Sequence, residues 1–208
     1  VLHTSVGTEA SRDEADTEAQ RESVLEALAA LGHGAVALPF SLNLEETAGR
    51  LRALAPDVVF NLFEPLTGEG RLIHLAPALL DHLRRPYTGN PTEALVRTSN
   101  KLLGKRLLEL GRIATPSWRT PRDGASAEPA APGRWIVKSV WEHASIGLDE
   151  DAILTARNDG DLDHAVRARG DGPGGGCFAA ASTDGPELNL SLPAGSPGPE
   201  VLPPAAPR

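Results

Sequence analysis

Of the 20 basic residues in this chain, only Lys101, Lys105 and Lys138 are lysines; the rest are arginines. An ammonium group is a compact point charge and a guanidinium is a planar fork, so the two are not interchangeable where a phosphate must be met. Lys101 sits in the stretch Arg97-Thr98-Ser99-Asn100-Lys101-Leu102-Leu103-Gly104-Lys105, which reads as the start of a helix. Lys138 ends the apolar run Trp135-Ile136-Val137, which reads as a strand. Glu142-His143-Ala144-Ser145-Ile146-Gly147-Leu148 follows, a stretch of small residues with a hydroxyl and a glycine. Two ammonium groups and a loop with free backbone N–H donors make a cradle for a polyphosphate. No Walker A pattern is present, so the cradle is not a P-loop. Taken alone, Lys101 and Lys105 are four residues apart and could be a solvated helix face.

These residues need a scaffold, and the chain supplies alternating elements. Val1–Val6 reads as a buried strand and Asp13–Leu31 as a helix, with Gly32 placed for its left-handed C-terminal residue. Ala35–Pro39 reads as a second strand. Asn43 with Glu46 forms a capping box for a helix carrying Leu44, Ala48 and Leu51. Val58-Val59-Phe60 is a continuous apolar run, as in a parallel strand covered on both faces. Leu72–Leu83 reads as a helix that Pro77 either kinks or starts. Alternation from residue 1 to about 89 predicts a Rossmann-like, doubly wound α/β layer.

From residue 90 the pattern changes. Asn90-Pro91 opens one helix, and Ser99 reads as the cap of the next, which ends at Gly111. Residues 123–133 are rich in Ala, Pro and Gly and read as a loop. Strands are expected at Trp135–Val137, near Ala152–Ala156, at Cys177-Phe178 and at Leu188–Leu192, with a short helix over Leu162–Ala168. Beyond Pro193, Pro and Gly dominate and Val201-Leu202 is the one apolar pair. The expected division is 1–89, 90–170 and 171–208.

Composition narrows the function classes. The net charge is -8 and no basic stripe is present, which argues against nucleic acid. No apolar run reaches the ~20 residues of a membrane helix. Cys177 is the single cysteine, so neither an internal disulfide nor a four-thiolate site can form. The six histidines lack metal-site spacing. The cytoplasm is the expected location. Val1 opens inside an apolar segment, which predicts further residues before it.

The order Tyr87-Thr88-Gly89, Asn100-Lys101 with Lys105, Ile136-Val137-Lys138, Ser145-Ile146-Gly147 and Gly185-Pro186-Glu187-Leu188-Asn189 resembles D-alanine–D-alanine ligases and their ATP-grasp relatives. The resemblance implies a pre-ATP-grasp α/β layer followed by a partial ATP-grasp α+β domain. It also implies ATP contacts from Lys101, Lys138, Glu142, Ser145, Ile146, Gly147 and Glu187. Lys101 and Lys138 would meet phosphates, Glu187 would hold the ribose hydroxyls, and Ser145 would stand beside the terminal phosphate as the catalytic hydroxyl. Lys105 is expected to be structural. The implied reaction phosphorylates a carboxylate to an acyl phosphate, which an amine then attacks. Partners reduce to ATP and a small amino-acid-like substrate, with a second copy of the chain left open.

Three departures qualify the resemblance. Ala179-Ala180-Ala181 stands where an acidic hinge beside adenine is expected, Ala144 where a first serine is expected, and Phe60–Pro65 where a His-Gly element is expected. The Asp and Glu-x-Asn ligands of Mg²⁺ are expected beyond the residues matched, so no metal ligand is assigned. An incomplete ligase is therefore the leading expectation. A non-catalytic module that binds a nucleotide or a partner is the alternative, and an interrupted reading with exposed strand edges is a third.

Overall fold

A computed structural model describes residues 1–4, 12–64, 69–120, 130–142, 150–170, 176–183, 189–191 and 200–202, excepting the side chains of 12–17, 189–191 and 200–202. Strand β1 (Leu2–Thr4) is the centre of a parallel sheet, with β2 (Leu38–Phe40) on one side and β3 (Asn61–Leu62) on the other. Their registers are Leu2 opposite Leu38 and Leu2 opposite Asn61. Helix α1 (Arg12–Ala30) joins β1 to β2, and α2 (Leu44–Leu54) joins β2 to β3. This is the Rossmann-like layer expected from the alternation.

Each element has a local cause. Asn43 accepts the Glu46 N–H at 3.3 Å and donates to its carboxylate at 3.0 Å, so the capping box starts α2 as its sequence indicates. Leu2, Phe40, Leu51 and Leu80 are buried together, and the Phe40 and Phe63 rings lie 4.6 Å apart. Thr4 ties the end of β1 to the chain after β3, because its hydroxyl both donates to Glu64 O and accepts from Glu64 N, each at 2.8 Å.

Several boundaries move. The pairing expected at Val58-Val59-Phe60 falls instead on Asn61–Leu62, with Leu2 N donating to Phe60 O at 2.8 Å. Val59 spends its backbone groups on Pro86 O and Thr88 N, forming one parallel bridge with Tyr87, while Val58 is left exposed. An apolar run reports burial and leaves the ladder register unspecified. The second strand likewise shifts from Ala35–Pro39 to Leu38–Phe40, where Phe40 reaches the core. The helix expected over Leu72–Leu83 resolves into one tight turn, Gly70–Leu72, and α3 (Leu75–His82). Pro77 lies in the first turn of α3, where its missing N–H costs nothing.

Helix α4 (Thr92–Ser99) starts one residue after Pro91, which is the cap in place of Asn90. Helix α5 (Lys101–Leu110) is capped by Asn100, whose side chain accepts the Leu103 N–H at 2.9 Å; Ser99, the expected cap, is the buried last residue of α4. Both side chains can cap, and the one at the bend takes the role because its backbone is extended (φ -80°, ψ 102°).

The second sheet is antiparallel, in the order β4 (Trp118–Arg119), β7 (Cys177–Ala181), β5 (Gly133–Ser139) and β6 (Ile153–Ala156). One face packs Trp135, Val137 and Ala179 against Leu162 and Val166 of α6 (Asp159–Arg169). The opposite face packs Phe178, Ala180 and Val140 with Leu102 of α5, Trp118, Ile136 and Trp141. Strands β8 (Asn189–Ser191) and β9 (Glu200–Leu202) pair antiparallel as a separate ribbon. β9 corrects the reading of the Pro- and Gly-rich end: Val201-Leu202 is a strand. Val6 and residues 123–129 of the expected loop lie outside the described residues.

Candidate polyphosphate site

Lys138 is the sixth residue of β5 and faces Phe178 across the β5–β7 ladder. Side chains alternate along a strand, so Lys138 shares the sheet face of Ile136 and Phe178, on which α5 packs through Leu102. Lys101 opens α5, and Lys105 is one turn further along the same helix face. The topology therefore brings Lys138 to the helix–sheet contact that carries Lys101 and Lys105, more than 30 residues earlier in the sequence.

The strand end is bound to the helix start. Lys101 N donates to Val140 O at 3.0 Å, and its ammonium donates to Glu142 O. Ser139 makes the bend between them, its hydroxyl oxygen accepting the N–H groups of Trp141 and Glu142 at 3.3 and 3.1 Å. The Glu142 carboxylate accepts the N–H of Gly70, at the tight turn before α3, at 3.4 Å. Lys105 donates to Thr115 Oγ1 and Pro116 O, both at 2.8 Å, which joins α5 to the chain entering β4.

The electrostatics follow from this crowding. Burial pushes the Lys101 ammonium below the ordinary lysine value; the nearby Glu142 carboxylate pulls it back up, and Lys138 presses it down further. Lys105 is lowered by burial and by the same Lys138, with Glu109 opposing. Like charges held together and partly out of water are poorly compensated, and an anion among them relieves both penalties. A chain of phosphates is the anion whose spread charge suits several separated cations.

Of the residues singled out in the sequence, Lys101, Lys138 and Glu142 converge here. Ser145, Ile146, Gly147 and Glu187 lie outside the described residues. Lys105 has the structural bonds expected of it, and it also belongs to the cationic group, a part that its spacing from Lys101 could have signalled. Ala179–Ala181, which stand where the resemblance would put an acidic hinge, lie in β7: Ala179 is 0% and Ala180 6% exposed, and both are paired to β5. The strand expected at Cys177-Phe178 thus runs on through small residues of weak strand preference. β4 was not anticipated. Its Trp118 packs on Phe178 and Ala180 and donates its indole N–H to Glu109 at 2.7 Å. Gly70 was also missed, since a glycine that lets a distant backbone approach has no local pattern. Among the described residues, no cluster of His, Cys, Asp or Glu could hold a metal ion, and no helix is long and apolar enough to cross a membrane.

Comparison with known proteins gives the fold a context. No family model matches the chain. A D-alanine–D-alanine ligase from Moorella thermoacetica is 38% identical over 96 residues, 46% of this chain and 29% of that protein. A D-alanine–D-alanine ligase from Gluconobacter oxydans is 30% identical over 130 residues, 62% of this chain and 42% of that protein. The chain thus spans less than half the length of these two curated relatives. The crystal structure of the Bacillus anthracis D-alanine–D-alanine ligase complexed with ATP superposes with a TM-score of 0.61 at 16% identity, over 92% of this chain and 61% of that one. Together these matches and the two sheets show that the chain has a D-alanine–D-alanine ligase-like fold.

Proposed function

We propose that this chain is the nucleotide-gripping part of an ATP-dependent carboxylate–amine ligase. The observation that carries the reading is the convergence of Lys101 and Lys138, with Lys105 beside them, on one helix–sheet contact. Named relatives that act on D-alanine support a small amino acid as the substrate class.

In this reading Lys101 and Lys138 hold the phosphate chain and neutralise charge that spreads over the phosphoryl group as it transfers. Lys105 contributes field from one turn away while its bonds to Thr115 and Pro116 fix α5. ATP supplies the phosphoryl group: its terminal phosphorus–oxygen bond breaks, the substrate carboxylate takes the phosphoryl as an acyl phosphate, and ADP leaves. The amine of a second substrate then attacks the acyl carbon and inorganic phosphate departs. The stretch Ser145-Ile146-Gly147 is assigned to the triphosphate, with the Ser145 hydroxyl beside the terminal phosphate, and Glu187 is assigned to the ribose. The carboxylates that would hold Mg²⁺ are placed outside the described residues, and no step is routed through the ion. The division at about residue 90, between the parallel layer and the lysine-bearing sheet, belongs to the same proposal, as does a cytoplasmic location.

Titration of the 208-residue chain with AMP, ADP and ATP tests the reading. Each added phosphate that reaches an ammonium group should tighten binding by about tenfold, from the ~1.5 kcal/mol of a charged hydrogen bond. Equal affinity for all three nucleotides would contradict a site built on the phosphate chain.

A further inference from the structure

Gly70 comes from the parallel layer and meets the root of the lysine site edge-on. It is buried, and a Cβ placed on it would lie 2.4 Å from Trp141 O, 2.9 Å from Trp141 C and 3.4 Å from Glu142 N. No side chain survives at 2.4 Å from a backbone oxygen, so any larger residue must push the 141–142 backbone away. Gly70 also donates its N–H to the Glu142 carboxylate at 3.4 Å. Those two contacts are independent, one steric and one polar, and they fall on adjacent residues.

What Gly70 touches is the piece of chain that holds Lys101. The Glu142 carbonyl receives the Lys101 ammonium, and the Val140 carbonyl receives the Lys101 N–H. From the other side, the Ser139 hydroxyl holds Trp141 N and Glu142 N. The 139–142 turn is therefore clamped between three elements: β5 before it, α5 beside it and the Gly70 turn beyond it. Moving that turn must move an acceptor of the Lys101 ammonium. Glu142 also has its carboxylate committed to Gly70, which leaves it badly placed to meet a phosphate and well placed to fix the backbone.

We propose that Gly70 and Glu142 form a joint between the parallel layer and the lysine-bearing sheet, and that both are positioning residues for the Lys101 ammonium. The inference rests on the ATP reading above and deepens it. It reassigns Glu142 from nucleotide contact to positioning, and it makes the parallel layer a part of the nucleotide site.

The experiment measures ATP dissociation constants of the 208-residue chain and of Lys138→Met, Gly70→Ala, Glu142→Ala and Glu142→Gln, with melting curves for each. Gly70→Ala and Glu142→Ala should each weaken ATP binding by about fivefold to tenfold, the worth of one positioned charged contact. Glu142→Gln keeps an oxygen that accepts from Gly70 and should return to within about twofold of the parent, although it has lost the same charge as Glu142→Ala. A purely electrostatic role for Glu142 would not give that rescue, and a purely structural one would lower the melting temperature of Glu142→Ala, whereas positioning lowers its affinity with the melting curve unchanged. If Gly70→Ala does not fold, the Glu142 pair decides alone. Equal losses in Glu142→Gln and Glu142→Ala, or no loss in Glu142→Ala while Lys138→Met binds weakly, would overturn the joint and leave the ATP reading standing. No ATP binding by the parent, or full binding by Lys138→Met, would remove both.

Discussion

Replacing Lys138 with methionine should weaken ATP binding by about 10- to 100-fold, since one charged hydrogen bond to an ionised group is worth ~1.5–3 kcal/mol. Methionine matches the stem and removes the charge, so the β5–β7 ladder through Lys138 and Phe178 is kept. The same variant should change the pH profile in a direction that damage alone would not produce. ATP requires Lys101 as an ammonium, so affinity falls as pH rises through the Lys101 value, which burial and Lys138 hold below the ordinary one. Removing the Lys138 charge relieves part of that depression, and the alkaline limb should therefore move to higher pH while affinity drops. Titration calorimetry at several pH values reads both effects. Unchanged affinity, or an alkaline limb that moves to lower pH, would show that Lys138 does not share the site with Lys101.

Phe178→Ala should cost about 3–5 kcal/mol of stability, the usual range for emptying a fully buried phenylalanine site. Phe178 is 1% exposed and is a centre of the sheet face that carries Lys138. It packs with Val140 and Ala180, and Leu102, Trp118, Ile136 and Trp141 close around them. Those neighbours come from a helix start, an edge strand and a turn, which cannot all collapse into the space left by the ring. Urea unfolding should show the midpoint falling with little change in slope. A loss below about 1 kcal/mol would mean that α5 is not held on this face as described, and the lysine convergence would lose its scaffold.

The sequence makes some of this legible and conceals the rest for physical reasons. The strand–helix alternation up to residue 89 is periodic and local, and the parallel layer follows it. Lys138 after the apolar run Trp135-Ile136-Val137 is visible because a strand alternates faces, which puts Lys138 on the same side as Ile136. The Asn43–Glu46 box is likewise written in four consecutive residues. Ser99 and Asn100 can each cap the helix that follows, and only the extended backbone at the bend gives the role to Asn100. The apolar run Val58–Phe60 announces a strand, yet the ladder falls on Asn61–Leu62, since hydrophobic runs carry no register. β7 is legible at Cys177-Phe178, but its continuation through Ala179–Ala181 is not, since alanine has little strand preference and only the pairing with β4 and β5 extends it. Gly70 was out of reach altogether: its requirement comes from Trp141, 71 residues away, and no window contains both.

The coupling between Lys101 and Lys138 bears most directly on the polyphosphate site. A double-mutant cycle on ATP affinity compares the parent, Lys101→Met, Lys138→Met and the double variant. Two ammonium groups that grip one phosphate chain should be non-additive by about 1 kcal/mol or more, with the double variant losing less than the sum of the single losses. Strict additivity, or no loss in either single variant, would contradict a shared site.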